Sequence, residues 1–476
     1  MPAHLHSRIL PLSLLLALSQ AGCVHLNSLP PLATVQPAQP ALLIENARIF
    51  SGDADQAVSA GQDVLIEAGR IKAIGAHPLN VDASERIDAR GKLLLPGLID
   101  MHVHVGFTEA PPWYPTLGNP KRTLSAYAAH GVTTVLDLGG RSSELHDLAQ
   151  QLAQGKLTGP RLLYAGEQFS APGSHPAPLM KEILAWPLSS LAIALSVDPL
   201  AADSDVDALI SKRKQAGAIL AKVMIDRIPL ASPSTDEASV RRLVTAAHRQ
   251  NMPVAAHIGD EQNLLSALNA GVDLLAHGVN RSGLGTAGLQ RLQAAQVPVV
   301  PTLKIFNNIA LAAQQQDPIE PADEKVIAPA AREAFRKPDG RKVTPAMYEY
   351  GQLIAHQREV TFANCRAMQQ AGIPLLVGTD SPNMGSTAGS SIHQELQLLV
   401  EKCGLTPAQA LAAATGRPGA WLSRWSGIAG LGSVSVGAPA DLLLIDGDPL
   451  QDIRASRNIS LVLTAGRKVT ALPQAD

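Results

Sequence analysis

The sequence predicts an α/β protein. Residues 96–431 read as a (β/α)8 barrel of the TIM type, carrying a small composite β-sandwich made by residues 42–95 together with 432–476. Three observations predict it. The middle of the chain alternates eight apolar, strand-like runs with helical stretches. Hairpin texture, broken by Gly, Asp and Asn, returns at both ends. No Gly-x-Gly-x-x-Gly turn follows an early strand, which weakens the case for an open, doubly wound sheet.

The elements justify themselves in order. In "HSRILPLSLLLALSQAGC", Arg8 precedes an apolar run from Ile9 to Leu18, shorter than the ~20 residues of a membrane span. Residues 1–22 therefore read as an export signal. The small residues before Cys23 resemble a bacterial lipobox, in which Cys23 is lipidated and heads the mature chain, although Gln20 stands where an aliphatic residue is usual. That predicts a bacterial cell-envelope location, facing the periplasm, with membrane contact only through the lipid; simple cleavage and an uncleaved anchor are the alternatives. Residues 23–41, with "LNSLPPLATVQPAQP", read as a Pro-rich tether.

Next, "ALLIENARIF" and "QDVLIEAGRIKAIG" read as hairpins, as do "GSVSVGAPADLLLIDGDP" and "ISLVLTAGRKV" near the other end. The eight barrel strands start with Leu93–His104. "GVTTVLDLGG", "PRLLYAGE", "AILAKVMID", "PVAAHIGD", "DLLAHGV", "VPVVPTL" and "IPLLVGTD" follow. Near-continuous apolar strands indicate a parallel sheet covered by helices. Those helices are stretches such as "SVRRLVTAAHRQ", "QNLLSALNA", "AGLQRLQAAQ" and "REVTFANCRAMQQAG", several ending at Gly or Asn.

Composition excludes some functions. The formal net charge is −2, with no long basic block, so charge alone predicts no nucleic-acid partner. Aromatic content of 3% argues against a platform for stacking bases. Three cysteines are too few for a disulfide framework or a thiolate cluster. Cys365 and Cys403 read as core or helix residues, and any metal must take nitrogen and oxygen ligands.

Polar residues collect where a barrel keeps its chemistry, at strand C-termini. His102 and His104 close the first strand and, two apart, share a face. Lys222 lies inside "AILAKVMID", His257 closes "PVAAHIG", His277 closes "DLLAHG" and Asp380 closes "LLVGTD". One histidine ending an apolar run is ordinarily a hydrogen-bonded core residue. Burying all six groups without counter-charge would be very costly, and two divalent cations would remove the cost. Lys222 then has either a strongly depressed pKa or a carbamate that bridges two metals.

The motifs "PGLIDMHVHVG", "GVTTVLDLGG", "VPVAAHIGD", "GVDLLAHG", "IPLLVGTDSP", "HQELQLLVEKCGLTPAQALAAATGRPGAWL" and "GSVSVGAPADLLLIDGDPL" run in order from about residue 42 to the end. Together they resemble the metal-dependent amidohydrolases, in the branch with a binuclear centre and a carboxylated lysine, near its prolidase-like and imidazolonepropionase-related members. The resemblance implies that His102, His104 and Asp380 hold one ion and His257 and His277 the other. N6-carboxylysine at Lys222 and a hydroxide bridge them. Zinc is the foremost metal for nitrogen and oxygen ligands, with manganese, iron and cobalt open. Asp380 moves the proton.

The relatives usually run into a Thr-Gly-Gly turn after the lysine. This chain has "MIDRIPLASPS", which unsettles a direct transfer of dipeptidase specificity. His175 in "SAPGSHP" matches a glycine-flanked histidine of the relatives, expected to donate a hydrogen bond to the substrate's carbonyl or tetrahedral oxygen, with a surface loop histidine as the alternative. Arg281 and Lys304 are candidates for holding a substrate carboxylate, with surface salt bridges as the alternative. Leu303 to Tyr350 reads as a lid or as a solvated excursion.

The expected reaction is hydrolysis of an amide or peptide-like bond in a small molecule, a dipeptide or N-acyl amino acid, by the bridging hydroxide. The alternatives are hydrolysis of a cyclic amide, lactone or phosphotriester, deamination of a heterocycle, and a non-catalytic envelope lipoprotein. An oligomer is compatible with the sequence.

Overall fold

The computed structural model describes residues 25–26, 29–37, 40–324, 326–338, 340 and 343–471. The expected signal segment and Cys23 lie outside them. A closed parallel barrel fills the middle of the chain. Its first six strands are Leu98–Val103, Val132–Asp137, Arg161–Tyr164, Ala221–Met224, Val254–His257 and Leu274–Leu275. Single parallel bridges, Leu275 to Val299 and Val299 to Leu375, carry the wall onward. Closure comes where the Met101 amide donates to Val377 O at 2.9 Å and the Asp380 amide donates to His102 O at 2.7 Å.

The seventh strand shrinks to a bridge for a reason visible in "VPVVPTL". Pro298 and Pro301 have no amide hydrogen to give a ladder. The eighth run, "IPLLVGTD", is likewise reduced to a bridge at Leu375, and it presses close against the first strand at Gly378, where an added Cβ would fall 2.4 Å from Val300 Cγ1 and 3.0 Å from the His102 backbone nitrogen.

The predicted helices form at Glu237–Arg249, Glu261–Ala270 and Thr286–Ala295, while "REVTFANCRAMQQAG" lies in the longer helix Pro345–Gln370. Gly271, at φ 88°, ends the second of these in the left-handed conformation that glycine adopts without strain. No helix among the described residues is long and apolar enough to cross a membrane.

Strands from both ends build one mixed nine-stranded sheet. Its centre is Leu93–Pro96 paired antiparallel with Leu442–Ile445, residues nearly 350 positions apart. Side chains alternate across these strands. Leu94, Leu442 and Leu444 enter the core of the β domain with Leu42, Ile44 and Ile66. Leu93, Leu95, Leu443 and Ile445 face the other way, into the barrel's main core. The shared strands thus weld the two units.

Two features depart from expectation. Part of the supposed tether is a strand, Ala33–Val35, paired with Arg467–Ala471, with Leu32 and Ala33 buried. Cys365 and Cys403 are buried, as a core reading requires, but they form a disulfide with Cα atoms 5.3 Å apart. It joins the helix Pro345–Gln370 to the end of Ser391–Glu401. The residues between Leu303 and Tyr350 form helices at Leu303–Ala313 and Pro329–Arg336, and the segment supplies one wall of the cavity described next.

Candidate metal centre

A cavity of about 950 Å³ opens at the C-terminal ends of the barrel strands. Lining it are His102, His104, His175, Lys222, His257, His277 and Asp380. Leu220 and Ala255, each two residues before a polar member of this set, belong to the apolar cluster that also holds Leu136, Val300 and Leu376. The alternation that buries that layer therefore aims Lys222 and His257 along the same face, one step nearer the mouth.

The rings crowd together. His102 and His277 have centroids 4.6 Å apart, and His257 and His277 4.3 Å. Nε2 of His102 and of His104 stand 3.4 and 3.0 Å from the same Asp380 oxygen. Ligand atoms of His102, His277 and Asp380 all lie within 4.8 Å of one another, a spacing one metal ion can span.

Orientation is set from behind. His102 Nδ1 is 2.8 Å from Ala276 O, and His104 Nδ1 is 3.3 Å from Gly139 O. A carbonyl only accepts, so in each ring Nδ1 carries the proton, and when the ring is neutral Nε2 presents its lone pair to the centre. His277 Nδ1 meets Thr302 Oγ1 at 2.7 Å. Burial holds the His102, His257 and His277 rings well below the ordinary histidine pKa, with the Lys222 charge among the further causes. These rings are neutral, as ligands must be. Burial also lowers His104, but the hydrogen bond and charge of Asp380, helped by Asp137, outweigh it and leave the ring raised.

Lys222 is 1% exposed, and burial depresses its ammonium to about 7. A lysine poised there is neutral for part of the time at ordinary pH and is open to carboxylation. Asp380 sits at φ 55°, a left-handed conformation that costs a non-glycine residue about 1–2 kcal/mol. Asp100 ties the first and eighth strands together, accepting from the Thr379 hydroxyl at 2.6 Å and from the His102 amide at 3.2 Å.

The polar donors fit divalent ions. The His102, His257 and His277 rings are held neutral, and a carboxylate and a carboxylatable amine complete the set.

Other expectations need correction. Arg281 pairs with Asp226 and, at 2.9 Å, with Asp260, and it does not line the cavity. Its charge is spent on carboxylates of its own chain, one of which, Asp226, stands 3.5 Å behind His257 Nε2. Lys304 is buried, points to Pro318 O at 3.4 Å and also misses the cavity. His175 reaches the cavity, its ring 5.2 Å from that of His257. Burial pushes it down to about 3, and Nδ1 lies 3.3 Å from Ile228 O. A neutral ring with its proton on Nδ1 shows the cavity an acceptor. The donor role read from the sequence needs the other tautomer, at the cost of that bond. Thr302, Asp100, Asp137 and Asp226 were not anticipated as site residues.

Residues 93–469 match the amidohydrolase family. The chain belongs to it. As an amidohydrolase, it is a hydrolase acting on carbon–nitrogen bonds. This amidohydrolase is 26% identical to an uncharacterised protein of Mycobacterium tuberculosis over 389 residues, 79% of this chain and 85% of that one. It is 25% identical to ochratoxinase of Aspergillus niger over 400 residues, 77% of this chain and 72% of the relative. In structure it resembles a Xaa-Pro dipeptidase solved with bound methionine, with a TM-score of 0.73 and 22% identity over 90% of this chain and 99% of the other.

Proposed function

We propose that this amidohydrolase is a binuclear metal enzyme that cleaves an amide or peptide-like bond in a small molecule of dipeptide or N-acyl amino acid type. The observation that carries the reading is the convergence of His102, His104, Lys222, His257, His277 and Asp380 on one cavity. His102, His104 and Asp380 would hold one ion and His257 and His277 the other, with Lys222 carboxylated between them. Bound divalent ions, zinc foremost, acidify water and polarise a carbonyl.

The chain's own residues do the rest. Asp380 accepts the proton of the attacking water and returns it to the leaving amine. His175, as an acceptor, orients the substrate's amide N–H. Trp113, Leu179, Met180, Phe306 and Met347 give the cavity an apolar lining that excludes water and suits a bulky apolar group. The charged side chains lining it, among the described residues, are Glu182, Lys222 and Asp380 besides the histidines. Residues of the Leu303–Tyr350 segment, Phe306 and Tyr350 among them, close one side of the cavity.

The likeness to a dipeptidase and to ochratoxinase supports this substrate class, and the filled set of ligand positions speaks against a retired scaffold. Export with a lipid on Cys23 completes the reading. The buried disulfide supports it, because such bonds persist in oxidising compartments such as the periplasm.

Two tests decide the function. Elemental analysis of the purified protein should find two divalent ions per chain, and a single ion or none refutes the binuclear site. A panel of dipeptides and N-acyl amino acids given to the metal-loaded enzyme should contain a substrate, and inertness toward the whole panel refutes the substrate class.

A further inference from the structure

Large apolar side chains left exposed on this protein are not scattered. Among the described residues they are Phe107, Leu117, Trp186, Leu191, Tyr348 and Val436. All but Val436 belong to segments around the cavity. Phe107, Leu117 and Tyr348 line it directly. Trp186, 81% exposed, links the helices Ala177–Ile183 and Leu188–Ser196, and Leu191 lies on the second. Other residues of both helices, Leu179 and Ala192 among them, line the same cavity. Lone exposed apolar residues are ordinary, but a collar of them around one opening marks a contact surface.

The N-terminal end of the described chain arrives at the same place. His25–Leu26 pairs in parallel with Thr116–Leu117, and the His25 ring stacks on Tyr114 with centroids 3.8 Å apart. Tyr114, Thr116 and Leu117 all line the cavity. Cys23 stands two residues before His25 in the sequence, a span of at most about 7 Å of chain at ~3.3–3.6 Å per residue. A lipid on Cys23 therefore enters a bilayer at the cavity's rim and cannot hold the opening away from it.

We propose that this rim is a membrane-docking face whose occupant is the lipid bilayer. Trp, Tyr and Phe are side chains that settle at the headgroup level, and Leu117 and Leu191 add apolar area beside them. Substrates then reach the metal centre out of the headgroup layer, which favours amphiphilic molecules. The orientation rests on the reading of Cys23 as lipidated. The collar itself does not.

The test uses the full-length lipidated chain in vesicles of phosphatidylethanolamine and phosphatidylglycerol with brominated acyl chains. Bromine should quench a component of the tryptophan emission that is missing in Trp186→Phe. Identical quenching of both proteins overturns the proposal.

A second arm uses the chain from residue 24 onward, which carries neither the lipid nor the apolar Ile9–Leu18 run. It should sediment with the same vesicles, and adding Trp186→Ser and Leu191→Ser should lower that partition about tenfold. Unchanged partition overturns the docking face. So does a dimer that these substitutions convert to monomer without altering vesicle binding, since a second copy then covers the collar. The intact mass of the envelope-purified chain tests the lipid separately. A bare Cys23 refutes the anchor, and the sedimentation result still decides the face.

Discussion

His277 and Thr302 are joined by a 2.7 Å hydrogen bond whose direction is settled by a third group. The Thr302 hydroxyl donates to Pro301 O at 2.8 Å, so it accepts from His277 Nδ1 and turns the His277 Nε2 lone pair into the cavity. Thr302 holds this position at φ 50°, which costs a β-branched residue about 1–2 kcal/mol. Thr302→Val keeps the shape and removes the hydroxyl. Metal affinity should fall by about 10- to 100-fold, with Thr302→Ser close to wild type. Titration with a competing chelator reads this directly, and equal affinity of the Val variant would show that the hydroxyl does not orient the ring.

Lys222 divides the two forms of the site. If it carries a carboxylate, Lys222→Ala should lose bound metal and at least ~10³-fold in turnover. Formate, acetate or propionate at millimolar levels should restore part of both, because a small acid can occupy the vacated bridging position. A Lys222→Ala protein that holds two ions without added acid contradicts the carbamate.

His175 should matter to turnover and not to metal binding. His175→Ala is expected to keep both ions and to lose roughly 10²-fold in kcat/KM on substrates with an amide N–H. Tertiary amides such as those of proline have no N–H for the ring to accept, so they should lose much less. Equal losses on both substrate classes would return His175 to the donor role.

The disulfide should be a stabiliser outside the chemistry. Closing a 38-residue separation is worth about 3–4 kcal/mol in the chain-entropy account. Cys365→Ser with Cys403→Ser should lower the melting temperature by several degrees and leave kcat unchanged. Loss of activity at temperatures well below melting would instead tie the bond to the long helix Pro345–Gln370, whose first residues line the cavity.

How much of this was legible follows from the range of each signal. His102 and His104 announce themselves because a period of two is local, and Lys222, His257, His277 and Asp380 each end or interrupt an apolar run. The residues behind them carry no such mark. Asp100 meets Thr379 across 279 positions, and Thr302 reads as the tail of a strand cut short by prolines. Arg281 takes the salt-bridge alternative, and its partner Asp226, 55 residues away, is brought near it only when the fourth and sixth strands flank the fifth. The pairing of Cys365 with Cys403 likewise needs two outer helices to be adjacent. Composition could say only that three cysteines were few.

Ala33–Val35 is held by Arg467–Ala471, which is held by Ile459–Thr464, then Leu442–Ile445, then Leu93–Pro96 at the barrel's base. Residues 33–35 are thus buttoned down by residues 467–471. A nascent molecule has no seat for residues 33–35 until residues 467–471 have been delivered, and one cut short before residue 442 would leave Leu93 to Leu95 with half of their partners missing. Maturation of this protein is in that sense a single closing act, performed by residues 442–471.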